Sequence, residues 1–440
     1  MGEKFTPSLH WSQLLWNSRG LVRNPIPYHH KWFETYGDTL RFRFINGTEV
    51  YLTRDPEFAL HILKKNHKNY YKSDVTSENL GHYIGKGLLT LNGGEWKKDR
   101  RLLQPGFYKE RIQKVFNEAI PKAVTSGLDD IPLGQQVDVK PYMNRLAFEV
   151  VTKALFDIEV APERLEEIRH IIDAVQEHFV KEVREPQWNF WRYLIGQKRL
   201  ALAQVSRMRA IMQELIQERQ QSKLVHDDLL DLMLQSTYED GSYMEADRVI
   251  DELIILIVAG HETTANALCY MFYELARNPN FMDAVRSELT EIGAVSPYHQ
   301  LGQMTYGKAL VQETLRYYPP AWIIDRKALE ADTVAGETLA PNSFVAISIY
   351  ELHRNPTYWE QPERFDPERF LKPPPPVYIP FGVGPRMCIG NHFALFEMLE
   401  VLRQLAVNYQ LKVPNKEPEQ LGKITLQART MLLELNKRNE

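Results

Sequence analysis

The stretch Pro380-Phe381-Gly382-Val383-Gly384-Pro385-Arg386-Met387-Cys388-Ile389-Gly390 presents a single cysteine at the end of a glycine-rich loop. Directly after it, Asn391–Tyr409 carries the apolar spacing of a helix, so Cys388 falls where unpaired helix N–H groups point outward and favour an anion. A thiol in that position has a lowered pKa. Gly384 and Gly390 let the backbone approach a flat ligand closely or take positive φ, Phe381 can pack beside the sulfur, and Arg386 puts a cation on the same loop. These are the properties of a thiolate that binds a metal.

Counting narrows the metal. The chain has two cysteines, whereas zinc and iron–sulfur sites gather several thiolates or imidazoles. A lone thiolate suits one axial position of haem iron, where the porphyrin supplies the in-plane donors. The competing reading is a buried structural cysteine behind a Gly/Pro turn. Cys269 lies inside a strongly apolar helical run and reads as a core thiol, and two cysteines make no disulfide framework.

Bulk properties exclude some partners. A formal charge of −4 gives no global attraction to nucleic acid. The first twenty residues, through Trp11, Leu14, Leu15 and Trp16, hold no apolar run that matches a signal sequence or a span of about 20 residues. The expectation is a cytoplasmic protein without a transmembrane anchor.

Along the chain, Pro25–Tyr36 reads as a helix, and Asp38–Ile45 and Thr48–Thr53 as strands joined at Asn46-Gly47, a strong hairpin signal. Glu78–Leu91, with Gly81, Gly85 and Gly87, reads as a loop. The segment Gly94–Pro105 sets Trp96 and Arg100 on one helix face and spreads Lys97, Lys98 and Arg101 over neighbouring faces. Arg111–Ser126, Lys140–Phe156, Ala161–Lys181, Gln197–Gln221 and His226–Gln235 all carry helical periodicity. Between them, Glu182–Gly196 breaks the pattern with Trp188, Phe190, Trp191 and Tyr193, either core contacts or a greasy entrance.

A long helix runs from near Glu245 to about Asn278, on the order of 45 Å. It is apolar on most faces, yet His261, Glu262, Thr263 and Thr264 lie at its middle. Buried polar groups cost stability unless partnered. A zinc motif H-E-x-x-H fails at Ala265. Two readings remain: Thr263 bonds the carbonyl one turn back, or Glu262 and Thr263 relay protons where Gly260 lets the helix open locally. Further on, Glu313 and Arg316 stand one turn apart, ahead of Phe365-Asp366-Pro367-Glu368-Arg369-Phe370. Strands are expected at Ala321–Ile324, at Val345–Ile349 and within Lys423–Leu435.

Taken in order, W-x-x-x-R (Trp96, Arg100), A-G-x-E-T-T (Ala259 to Thr264), E-x-x-R (Glu313, Arg316), P-E-R-F (Pro367 to Phe370) and F-x-x-G-x-R-x-C-x-G (Phe381 to Gly390) closely resemble the motifs of the cytochrome P-450 family over nearly the whole chain. The resemblance implies one domain over residues 1–440, mainly α with a small β-rich lobe at about 38–60 and 321–350. Haem b would lie between the long helix and the cysteine loop, with Cys388 as axial ligand. Trp96, Arg100, Arg326 and His353 would contact the haem propionates, with Phe381, Gly384, Arg386 and Gly390 lining the haem from the loop. Glu262 and Thr263 would manage protons, and Glu313, Arg316 and Arg369 would form a buried charge triad, Arg369 being preferred over the Glu363-Arg364 alternative by its spacing to Cys388. Tyr83, Ile84, Leu88, Val258, Ala259, Ala321, Trp322, Ile323 and Leu426 fall where the family lines its substrate pocket.

The implied activity is a monooxygenase that inserts one atom of O2 into a C–H bond of a lipophilic small molecule, a carotenoid, another terpenoid or a fatty acid. Electrons would come from a separate ferredoxin or flavodoxin landing near Lys97, Lys98 and Arg101, since no flavin or nicotinamide fingerprint is present. Two rivals stand beside it. A peroxygenase driven by hydrogen peroxide typically lacks the acid–alcohol pair seen here as Glu262 and Thr263, and a haem-based sensor needs no proton relay.

Overall fold

The computed structural model describes residues 6–10, 12, 18–44, 47–157, 162–222, 226, 228–412 and 417–438. Trp11, Leu14, Leu15, Trp16 and the turn residue Asn46 lie outside them. Two compact units interleave along the chain. One takes Met1–Gly106, Leu155–Ala259 and Asp325–Ile347, the other Phe107–Ala154, Gly260–Ile324 and Ser348–Glu440.

The first unit contains the largest sheet. Its strands run in the order Ser8–His10, Thr39–Arg43, Glu49–Thr53, Phe344–Ser348, Ile323–Ala328 and Tyr70–Tyr71. The two expected hairpin strands pair antiparallel from Thr39↔Thr53 to Arg43↔Glu49. Alternation decides their faces: Leu40 and Phe42 turn inward, and Phe42 meets Trp32 of helix Ile26–Tyr36 at 5.4 Å between ring centres. The joining of Val50 to Phe344 is parallel, which brings residues nearly 300 apart in sequence into one sheet. Asp55 caps the next turn, accepting from the Glu57 N–H at 2.7 Å ahead of Pro56, whose missing N–H costs nothing there.

Helices Pro162–Arg184 and Gln197–Gln221 are tied by Arg207 to Glu167 and by Arg164 to Glu214 and Glu218. These pairs are exposed and contribute a few tenths of a kcal/mol each. The Glu78–Leu91 segment is a departure from expectation. Its glycines do not keep it open, because Val75–Leu80 and Gly81–Ile84 form successive helical turns and the chain leaves them only at Gly85, where φ is +87°.

In the second unit, helix Asn391–Asn408 is packed on by Lys109–Asp129 through Phe116, whose ring meets Phe393 at 5.4 Å and Phe396 at 5.7 Å. A three-stranded sheet places Leu432–Lys437 between Tyr409–Lys412 and Gln136–Asp138. The hairpin Gln420–Gly422 with Leu426–Ala428 stands apart from it.

Helix Ala246–Arg277 has 32 residues and contributes to both units, the first up to Ala259 and the second from Gly260. By length and composition it is apolar enough to cross a membrane, but 72% of its most apolar window is buried in the protein. It carries a buried acid near its start. Glu252 is fully enclosed, one oxygen accepting the Leu88 N–H at 2.9 Å and the other having no hydrogen-bond partner among the described residues. Desolvation, reinforced by the Asp99 charge, pushes its pKa up to about 8. The native state therefore keeps a proton that the unfolded chain releases near 4.5, so the stability this group confers is full in acid and is lost as pH rises from about 4.5 through about 8. Glu252→Gln is expected to gain stability relative to the parent across that window, by at most about 1.4 kcal/mol per pH unit. Denaturation midpoints measured at a series of pH values test this, and parallel profiles for the two proteins contradict it.

Candidate haem-thiolate site

The cysteine loop is built by three local backbone bonds. The Gly382 N–H donates to the Ile379 carbonyl at 2.9 Å, the Met387 N–H to Gly384 at 3.0 Å, and the Cys388 N–H to Phe381 at 3.0 Å. This folding needs left-handed backbone at Gly382 (φ +71°) and Gly384 (φ +80°). Gly390, at φ −94°, is the residue before helix Asn391–Asn408, where a Cβ would make ordinary contact with the Phe107 ring at 3.6 Å. The outcome is an exposed Cys388 thiol three residues ahead of the first residue of helix Asn391–Asn408, with Phe381 and Arg386 half-buried on the same loop.

Behind the loop lies a buried charge cluster. Arg316 spends all five of its N–H groups: Nε on Glu313 Oε2 at 2.6 Å, Nη2 on Glu313 Oε1 at 2.8 Å and the Arg364 carbonyl at 3.0 Å, Nη1 on the carbonyls of His353 at 3.0 Å and Pro362 at 2.9 Å. Arg369 Nε donates to Glu313 Oε1 at 3.2 Å. Arg364, by contrast, is exposed and reaches Asp366 at 3.8 Å, so of the two spacings it is Arg369 that joins Glu313 and Arg316.

His353 sits elsewhere than the propionate role requires. It is fully buried, its Nε2 accepts the Ile379 N–H at 3.0 Å, and its ring stacks on Tyr378. Burial, with Arg316 and Arg354 nearby, pushes its pKa down to about 3. It is a neutral strut between the Arg316 cluster and the segment that enters the cysteine loop, and a buried neutral ring offers no charge to a carboxylate.

At the middle of the long helix, Gly260 has a role that spacing alone does not reveal. The helix runs unbroken through it, and a Cβ would come within 2.9 Å of Val151 Cγ2, so glycine permits close packing on helix Lys140–Phe156. Thr425, in the hairpin bend, donates its hydroxyl to Glu262 Oε1 at 2.7 Å, and Asn266 Nδ2 donates to that hydroxyl oxygen at 3.1 Å. Asn266 is one turn beyond Glu262, an i,i+4 signal visible in the sequence, whereas the contact of Glu262 with Thr425, 163 residues away, has no local signal. Within the otherwise buried stretch 253–276 of this helix, Ala259 is exposed, and Val258, Gly260, Glu262 and Thr263 are half-buried.

Within the second unit the other pocket candidates divide. Trp322 is 3% exposed with its indole N–H on the Lys423 carbonyl, and Leu426 is 0% exposed with its N–H on the Pro320 carbonyl. Both fasten the hairpin rather than face an opening, whereas Ala321 and Ile323 keep accessible surface.

In the first unit, Leu88 and Val258 are half-buried, but Tyr83 and Ile84 are core. The Tyr83 hydroxyl is turned away to donate to Glu182, and its ring meets His178 and Phe179 edge-on. Helix Gly93–Leu103 holds Trp96 and Arg100 half-buried. The basic patch beside them is largely neutralised: Lys98 pairs with Asp240 at 2.9 Å and lies over the Tyr238 ring, and Arg101 pairs with Glu239, leaving Lys97 exposed. Arg326 is 7% exposed, donates to the Asp325 carbonyl and makes no ion pair among the described residues. A buried guanidinium of this kind calls for an anion.

The family model described as cytochrome P-450 matches residues 6–435. The chain is a cytochrome P-450. Among characterised proteins, this P-450 is 28% identical over 408 residues to cyclooctat-9-en-7-ol 5-monooxygenase of Streptomyces melanosporofaciens, covering 91% of this chain and 88% of that one. It is 29% identical over 401 residues to cyclooctatin synthase of the same organism, covering 89% and 86%. Against the Arabidopsis thaliana protein LUTEIN DEFICIENT 5, chloroplastic, identity is 28% over 432 residues, covering 90% and 71%.

The cofactor of the family is haem b with a cysteine ligand, and the residues of this P-450 fit it. No cluster of three or more His, Cys, Asp or Glu exists among the described residues, so the donor set offers one thiolate to an iron whose other donors a porphyrin brings. Arg326 offers a buried cation that an anionic group can pair with, and Ala259 is a small, exposed residue of the long helix.

Proposed function

We propose that this P-450 monooxygenase hydroxylates a largely hydrocarbon small molecule, a terpenoid being the first class to test. The observation that carries the reading is one helix face on which apolar Val258 and Ala259 adjoin the acid–alcohol pair Glu262 and Thr263. Apolar wall and proton-handling groups one turn apart serve a substrate with no charge of its own. Similarity to a monooxygenase whose name gives cyclooctat-9-en-7-ol, a hydrocarbon skeleton with one hydroxyl, supports that class.

Bound haem, held by the Cys388 thiolate, supplies the one-electron and dioxygen chemistry. The chain's own part is to bind, orient and deliver protons. Arg326, Trp96 and Arg100 would hold the haem propionates. Asn266 donates to Thr425 and Thr425 donates to Glu262 Oε1, which orients the carboxylate that exchanges a proton with Thr263. The acid–alcohol pair favours oxygen activation with external electrons over peroxide use. The electron donor is a separate protein, and Lys97 is the cation of the original patch left to meet it.

A spectral binding screen of terpenes, carotenoids and fatty acids, followed by turnover with NADPH and a surrogate ferredoxin system, tests the proposal. Failure of every lipophilic candidate to bind or be oxidised rejects it. Glu262→Gln is expected to retain haem, lower product formation by about a hundredfold and divert reducing equivalents to hydrogen peroxide. An unchanged ratio of product to peroxide removes Glu262 from the relay.

A further inference from the structure

We propose that a cavity of about 780 Å³ in the second unit is a binding site for an amphipathic monoanion, a hydrocarbon body carrying one carboxylate head. The cavity lies between the start of helix Lys109–Asp129, helices Pro297–Gln303 and Thr305–Tyr317, and the first turns of helix Asn391–Asn408. Its size falls inside the range of small-molecule sites, about 300–1,000 Å³. None of the residues assigned to haem, proton delivery or substrate lines it.

One part of the lining is aromatic and aliphatic. The Tyr298 ring stacks on Phe396 at 4.8 Å between centres, the His392 ring lies 4.4 Å from Phe396, and Leu395 and Leu399 continue the same helix. The Tyr298 hydroxyl stands 3.3 Å from His392 Nε2, so the most polar atom of that ring already has a partner. A hydrocarbon guest against these groups leaves water, which is the favourable part of its binding.

The ionisable part of the lining has one sign. Lys109, His299, Lys308 and His392 contribute to it, and no acidic side chain among the described residues does. Lys109 is exposed and Lys308 half-buried, and neither makes an ion pair among the described residues; Lys308 Nζ donates instead to the neutral Gly302 carbonyl. The acids nearby are turned to other work or lie outside. Glu288 spends both carboxylate oxygens on backbone N–H groups, of Tyr306 at 2.6 Å and Gly307 at 2.9 Å, and Glu110 is exposed beyond the lining. Burial, with Lys109 and Lys308 beside it, holds the His392 pKa below its ordinary value, and burial lowers that of Lys308 against the pull of Glu288. A concave wall that gathers cations without a counter-charge concentrates positive potential. The guest that answers both parts of the lining has its charge at one end and hydrocarbon over the rest: a neutral alcohol leaves the cations unanswered, and an amine is repelled by them.

The test uses the haem-loaded full chain and a photoactivatable diazirine derivative of decanoate, whose attachment points are mapped by peptide mass spectrometry. The label is expected on segments 298–312 and 392–399, which form most of the lining. Unlabelled decanoate is expected to displace it at concentrations about tenfold or more below those needed for decanol, with decylamine weaker still. The double variant Lys109→Gln, Lys308→Gln is expected to weaken labelling of those segments by about tenfold or more, with unchanged haem content and melting temperature. Gly302→Phe is a second, independent block: Gly302 belongs to the lining, a Cβ there meets nothing within 4 Å, and the added ring narrows the cavity, so labelling of both segments is expected to be lost. Label confined to the neighbourhood of Val258–Thr263 and Ala321–Ile323 overturns the proposal, because the acid then enters the substrate site alone. So does displacement by decanol as effective as that by decanoate, or labelling of the two segments that neither variant reduces.

Discussion

Cys388→Ser is expected to abolish the strongly red-shifted carbon monoxide band of the haem protein and to lower turnover by about a thousandfold or more. Serine keeps the size of the side chain and the three backbone bonds of the loop, so the fold is retained. What is lost is the thiolate, whose electron donation to iron favours O–O cleavage. Three orders of magnitude correspond to about 4 kcal/mol of barrier, the scale of a principal activating group. The checks are the carbon monoxide difference spectrum and product yield under the same electron supply. A variant that keeps the red-shifted band shows that another residue is the ligand.

Arg316→Lys is expected to destabilise the protein by about 2–5 kcal/mol, the cost of leaving buried hydrogen-bond acceptors without a donor. Lysine brings the same charge but three donors at one point, whereas the site uses five in a plane. At least two of the five acceptor contacts, on the Glu313 carboxylate and the carbonyls of His353, Pro362 and Arg364, then go unserved in a fully buried place. Because His353 in turn holds the Ile379 N–H at the entry to the cysteine loop, haem is also expected to dissociate faster. Denaturant midpoints and transfer of haem to an acceptor protein measure the two effects. A loss below about 1 kcal/mol contradicts the view of Arg316 as the hub of this cluster.

The elements of the candidate site were legible where the code is local. A cysteine between glycines and a helix start, an acid and an alcohol inside an apolar helix, and a Glu–Arg pair one turn apart are short-range patterns, and each appears in the fold at its expected place in the chain. Arrangements depending on distant residues were not. Lys98 and Arg101 look like a landing patch until Asp240 and Glu239, some 140 residues on, are seen to cover them. Tyr83, Trp322 and Leu426 are apolar and well placed, yet a polar atom on each finds a partner that turns the residue into packing. His353 failed for the same reason, since spacing cannot tell an outward ring from a buried one. Glycine misled twice in opposite senses: at Gly81 it sits in a helical turn, and at Gly260 it allows contact with Val151 rather than opening the helix.

The Thr425 hydroxyl makes the hairpin bend and the Glu262 carboxylate a single mechanical piece. A guest that pushes the hairpin aside therefore drags the acid out of register, while one that leaves it at rest keeps the acid aimed. Bulky and slender guests should consequently differ in how cleanly electrons are turned into product, even when they bind with equal strength.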